Sequence, residues 1–526
     1  MSSSPPVSSR QPTLAAVRGT RQIALHALST VAVVCRSALL SVAVAWLTAW
    51  TCSLGALFVR VPVATQSYDT FMLGMLLWLQ SFYCCNDSVL QSTALLRVHF
   101  VSAPDRRPTL LQCWTRVLRH GGAAAHAVSL LLMVGLTKAC AAATASSPSL
   151  RALKLEYYLS CLASFTHTIT VGVICRTIYR HETVEGRARL AAKLQNSGMD
   201  AAPTAKRRRV LVEWCRLGVA WLPLLASSVL SPVAVHLLTL VRIRSQLELV
   251  LLLVGSFALK ALCQYVARRV LHRRRITNPR TMFLSATIPT VVIDTQVRVM
   301  LQRVSDSQLT VYGTALMALV EIATRVGKAL LTRRQLRRIE RLFSVRRRRA
   351  NGTTTATTTT TSSTATVVPV DEPLQHRQPQ GLHLDVRDKR SQLLAHRSAE
   401  LFADMAAEYI AMGCSTAILF FYWDHPKYLL RLSARDADTD AEADTDPTSN
   451  AWTPAQSLSI IVPLVVEILV DIVSCLIEVA HGTTFHEIRR QVVFVAFVSV
   501  ATAMANITIS AVIFLRVDHH HHNPPT

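Results

Sequence analysis

Three carboxylates stand in register within an otherwise apolar stretch, Glu467, Asp471 and Glu478 in Ser457–Ala480. Spacings of four and then seven residues put all three on one stripe of an α-helix. A buried carboxylate can act as a proton carrier or a cation ligand. Such a stripe cannot face lipid, because a charge near the bilayer centre costs roughly 2.5–3.5 kcal/mol on insertion scales. It demands a bundle interior, a water-filled cavity or basic partners. Glu408 in the preceding apolar stretch and Asn506 in the following one could complete that interior. Two readings stay open, a cation or proton pathway and a buried polar contact between helices with Lys260 or His481 as partner.

The elements that must hold these residues follow from composition. Of 526 residues, 51% are apolar and 17% charged, with mean hydropathy +0.32. Soluble domains carry about 25% charged residues, and disorder over most of the chain would require low hydrophobicity. The expectation is an all-α, polytopic transmembrane helical bundle. A spanning helix needs about 20 mostly apolar residues. Ser37–Val59, Gly121–Ala145, Tyr157–Cys175, Leu217–Leu240, Ser457–Ala480 and Gln491–Leu515 meet that need. Thr70–Leu96, Gln246–Val266 and Met405–Trp423 meet it less cleanly, since each carries charged residues. Lys260 stands near the end of its stretch, where it can snorkel. Thr281–Ile293, halted by Asp294, and Leu309–Ala323 are short and read as a shallow hairpin, a re-entrant element or a tilted pair. The count is about 9–11 spans, six to eight in an amino-terminal unit over residues 37–324 and three in a carboxy-terminal unit over residues 395–516.

Charge position sets the expected topology. Lys plus Arg total 56 against 32 Asp plus Glu, a formal net charge of +24. The basic residues gather before the first span and after the second, fourth and sixth, all on one side if the amino terminus is cytoplasmic. This positive-inside pattern accounts for the basicity without nucleic acid. The acidic loop over 424–456, with six acids from Asp436 to Asp446, then falls outside. The plasma membrane or an endomembrane is preferred to the mitochondrial inner membrane.

Residues 1–36 read as a disordered basic tail. Residues 351–394, nearly pure threonine at first and then rich in proline, read as a disordered linker, and residues 517–526 as a His-rich tail. Between span and linker, residues 325–350 carry eleven Lys/Arg against Glu340. Leu336, Ile339 and Phe343 recur at helical spacing, so the segment reads as an amphipathic surface helix. Its Arg333, Arg334, Arg337, Arg338, Arg341, Arg346, Arg347, Arg348 and Arg349 would meet anionic headgroups or a cytoplasmic protein partner. Twelve cysteines include no Cys-x-x-Cys pair and read as small hydrophobes, and His167 reads as a packing residue. Neither a metal nor another cofactor is expected. No signature of a soluble enzyme occurs, so no catalytic residue is assigned.

Val292-Ile293-Asp294-Thr295-Gln296-Val297-Arg298 and Ala407-Glu408-Tyr409-Ile410 resemble short blocks in a family of uncharacterised multispan membrane proteins of oomycetes and related protists. The resemblance implies membrane location and no known activity. Three functions compete. They are a transporter or channel for a cation or small solute, a membrane scaffold or signalling protein working through its basic segments, and, least favoured, an intramembrane enzyme using His167 or the carboxylates.

Overall fold

The computed structural model describes residues 11–95, 100–196, 210–219, 246–273, 279–303, 322–338, 380–430, 454–480 and 492–517, with single positions between them. Among the described residues the chain is helical, with isolated bridges at Phe100–Thr183 and Tyr428–Leu515. In chain order the helices are α1 (Gln11–Leu54), α2 (Tyr68–Val89), α3 (Leu110–Val117), α4 (Ala123–Thr144), α5 (Pro148–Ala152) and α6 (Leu155–Ile178). Then come α7 (Val184–Asn196), α8 (Gln246–Arg273), α9 (Pro279–Arg303), α10 (Gln380–Tyr422), α11 (Pro454–Ala480) and α12 (Val492–Phe514). Residues 210–219 and 322–338 are also helical.

Five segments among the described residues are long and apolar enough to cross a membrane, namely Arg21–Leu54, Leu110–Thr144, Leu155–Ile178, Leu393–Tyr422 and Val492–Phe514. The faces of α11 agree with this reading. Val465 and Leu469 are 50% and 58% exposed, whereas Glu467 and Asp471 are 6% and 0% exposed. On α4, likewise, Val128 and Leu131 point outward and Ser129 and Thr137 inward. Water would reverse both patterns; lipid selects them, since polar groups there must find partners inside the bundle. The protein is a multi-pass membrane helical bundle.

Helices from both sides of the threonine-rich stretch share one bundle. α1 packs on α10, α11 and α12, and α9 packs on α8, α10 and α12, while α4 lies against α2 and α6. Close approach needs glycine at Gly413 of α10, where a Cβ would stand 2.3 Å from Val42 Cγ2 of α1. Polar ties join the α2–α4–α6 group to the rest. Lys154 Nζ donates to the Val512, Ile513 and Leu515 carbonyls at 2.5–2.8 Å, capping the end of α12. Asn86 Nδ2 of α2 donates to the Phe497 carbonyl of α12 at 3.2 Å. Elsewhere, Tyr428 Oη, beyond α10, donates to the Cys52 carbonyl of α1 at 2.9 Å.

Several expectations need correction. The tail over 1–36 is helical from Gln11, and Ala27, Val31, Val34 and Ala38 bury a stripe against Phe283 and Phe402. Asp294 does not halt its helix, for α9 runs on to Arg303, with Asp294 buried against Lys260. The same pair draws Lys260 inward to a partner instead of letting it snorkel. The linker over 351–394 ends early, because α10 begins at Gln380; residues 351–379 lie outside the described residues. So do most of Leu217–Leu240 and Leu309–Ala323, residues 431–453 of the acidic loop, His481 and residues 518–526.

Candidate functional site

Two polar stripes face each other across the carboxy-terminal helices. On α10, Arg397, Glu400, Asp404 and Glu408 stand at spacings of three, four and four, and on α11, Glu467, Asp471, Ser474 and Glu478 at four, three and four. Each set therefore occupies one helix face. All eight side chains are buried.

Basic side chains fill the seam between them. Arg298 of α9 donates to Glu467 at 2.5 Å. Arg325, from the 322–338 helix, donates one terminal nitrogen to Asp471 and the other to Glu408, and reaches Ser474 Oγ at 3.3 Å. Arg397 of α10 holds Glu478 through two nitrogens at 2.9 and 2.5 Å. Lys328 lies 3.3 Å from Glu400 and 3.1 Å from Asp404, and donates to Gln264 at 2.8 Å. Gln264 of α8 in turn donates to Asp404 at 2.8 Å, and Lys260, one turn earlier, to Asp294 of α9 at 2.7 Å. Among the described residues, five cations thus meet seven carboxylates along the seam.

The expected pathway residues Glu408, Glu467, Asp471 and Glu478 all lie in this seam. Asn506 of α12 joins its edge, donating to Thr295 of α9 at 2.6 Å, beside the Gln296–Ser510 bond. The stripe's partners among the described residues are Arg298, Arg325 and Arg397 rather than Lys260. Arg325 and Lys328 belong to the stretch read as a surface helix, yet Arg325 is buried and Lys328 half-buried. Attraction to Glu408, Asp471, Glu400 and Asp404 draws the first turn of that stretch into the bundle. Arg333, Arg334, Arg337, Arg338 and Arg341 are exposed; Arg346, Arg347, Arg348 and Arg349 lie outside the described residues. Arg397, Glu400 and Asp404 escaped sequence reasoning because their helix was begun too late. Their spacing with Glu408 was the signal that could have found them.

A second polar cluster lies between α2, α4 and α6. Gln80 Nε2 donates to Ser129 Oγ at 2.6 Å, and Ser129 Oγ to the Ala163 carbonyl at 3.0 Å. Ser164 Oγ donates to Gln80 Oε1 at 2.6 Å. Gln91, in the π-helical turn Leu90–Leu95 that follows α2, donates to both Asp87 oxygens at 3.2 and 3.1 Å and to the Thr168 carbonyl at 2.7 Å. Asp87 Oδ2 lies 3.2 Å from His167 Nδ1. Cys84, His126 and His167 place one ligand atom each within 4.8 Å of one another.

Comparison of the chain with protein-family models, curated proteins and solved structures finds no match.

Proposed function

We propose that the protein is a transporter or channel for a cation or small solute, with the seam of Glu408, Glu467, Asp471, Glu478 and Asn506 as its pathway. Support comes from Arg325, one guanidinium shared by carboxylates on two different helices. A buried ion pair stabilises a fold no better, and often worse, than apolar residues of the same volume. Fold stability alone therefore does not call for so many. A shared guanidinium offers something apolar packing lacks. A proton or cation arriving on Glu408 or Asp471 weakens that carboxylate's hold on Arg325 and leaves the other holding it, so α10 and α11 acquire two arrangements of similar energy. Such bistability is what gated transport needs. The positive-inside pattern orients the seam with the amino terminus cytoplasmic, in the plasma membrane or an endomembrane.

Flux into proteoliposomes under an imposed pH or cation gradient tests this. The unmodified chain is expected to conduct, and Asp471→Asn and Glu408→Gln to slow flux at least tenfold. No flux from the unmodified chain, or equal flux from all three, removes the proposal.

A second reading is favoured by the exposed arginines of the 322–338 helix. A face bearing Arg333, Arg334, Arg337 and Arg338 fits anionic lipid at about 1 kcal/mol per arginine, or a cytoplasmic protein partner. Changing these four to Gln is expected to lower the anionic phospholipid that copurifies with the protein; unaltered lipid counts against a lipid-binding role.

A further inference from the structure

The cluster in the α2–α4–α6 group has the parts of a metal site. Cys84 Sγ, a His126 ring nitrogen and a His167 ring nitrogen converge from three helices, all within 4.8 Å of one another. A tetrahedral zinc with Zn–S about 2.3 Å and Zn–N about 2.0 Å sets such atoms roughly 3.3–3.6 Å apart, so closure requires movement of little more than about 1 Å. The His126 and His167 rings stand 5.9 Å apart and nearly perpendicular, an arrangement that lets both aim nitrogens at one point.

His167 supplies an independent observation. It is almost fully buried, and its Nε2 makes no hydrogen bond, whereas Nδ1 faces Asp87 at 3.2 Å. A buried ring nitrogen without a partner is costly. A cation on Nε2 would satisfy it, with Nδ1–H donating to Asp87. That is the carboxylate–histidine arrangement by which metal-bound imidazoles are oriented. Asp87 is itself fixed by Gln91 on both oxygens. Charge also closes. A divalent cation, the Cys84 thiolate and the Asp87 carboxylate sum to zero around two neutral imidazoles, which suits a membrane interior. Binding releases the Cys84 thiol proton to solvent as sulfur donates its lone pair.

We propose that Cys84, His126 and His167 bind a borderline-soft d-block dication such as zinc, with Asp87 as the positioning residue for His167. One thiolate and two imidazoles select this class over magnesium or calcium. Three protein ligands leave a fourth position open.

Full-length protein in detergent, titrated with Co2+ as a spectroscopic substitute, is expected to take it up with a thiolate-to-cobalt charge-transfer band that zinc displaces. A nitrogen-only site such as His519–His522 cannot produce that band. The band is expected to vanish in Cys84→Ser and to persist in Cys85→Ser. Asp87→Asn should keep it while weakening affinity about 10- to 100-fold. No cobalt uptake, uptake without the band, or a band that survives in Cys84→Ser overturns the site. Should Cys84→Ser fail to fold, His126→Ala decides, since His126 is only half-buried; affinity lowered less than tenfold there overturns the proposal equally.

Discussion

The α10–α11 seam and the α2–α4–α6 group solve one problem in opposite ways. Each must satisfy polar side chains inside a membrane bundle. The seam does so with full charges, carboxylates on α10 and α11 held by Arg397 of α10 itself and by arginine and lysine from other segments. The α2–α4–α6 group relies on hydroxyls, amides and imidazole, with Asp87 the carboxylate at its centre. Neutral interhelical hydrogen bonds in membranes are worth about 0.6 kcal/mol on average. Removing one partner of a buried ion pair costs about 3–5 kcal/mol. The seam is therefore the region where one proton or one cation changes most. The neutral group can lose single contacts and keep its shape.

Arg325 offers the strongest means of breaking this contrast. Arg325→Ala leaves Glu408 and Asp471 buried without their shared cation and is expected to destabilise the protein by about 3–5 kcal/mol. Neutralising all three positions, as Arg325→Met with Glu408→Gln and Asp471→Asn, is expected to recover most of that loss. By contrast, Ser129→Ala in the neutral group should cost no more than about 1–2 kcal/mol. Thermal unfolding in detergent reads all three. If Arg325→Ala proves as mild as Ser129→Ala, the charged seam is no more critical than the neutral cluster.

How much of this was legible in the sequence depends on how local each signal is. The carboxylates on α11 declare themselves because Glu467, Asp471 and Glu478 repeat at helical spacing in an apolar run. Their partners do not, since Arg298, Arg325 and Arg397 come from three other segments. Arg325 was hidden by company. It opens a run of eleven basic residues, and a run invites one reading for all its members although the first turn faces acids and the later turns face outward. Asp294 misled for a related reason. A charge in an apolar stretch looks like a boundary until its partner is known, and Lys260 stands 34 residues away. The Cys84–His126–His167 cluster leaves no spacing signature at all, because each ligand comes from a separate helix.

A smaller effect tests the attachment of α10 to α1, outside both regions. His425 follows α10, and its Nε2–H donates to the Ser53 carbonyl at 2.9 Å beyond the end of that helix. Its Nδ1 accepts the Lys427 N–H at 3.2 Å, so both ring nitrogens are committed and the ring is neutral. Burial lowers its pKa below the usual histidine value, against the opposing pull of the Ser53 carbonyl, and Lys427 lowers it further. Between the folded pKa and the unfolded value near 6.5, the unfolded chain binds more protons, so stability rises with pH across that window. The contribution is complete above about pH 6.5 and is lost as pH falls toward the folded pKa, at about 1.4 kcal/mol per unit of depression. His425→Gln keeps a donor for Ser53 but removes the titration. Every other titratable group is the same in both proteins, so the difference between them reports His425. The unmodified chain should lose more of its unfolding midpoint than His425→Gln between pH 7.5 and 5.5. Parallel curves would mean that the α1–α10 contact tolerates an imidazolium and that His425 contributes nothing pH-dependent to stability.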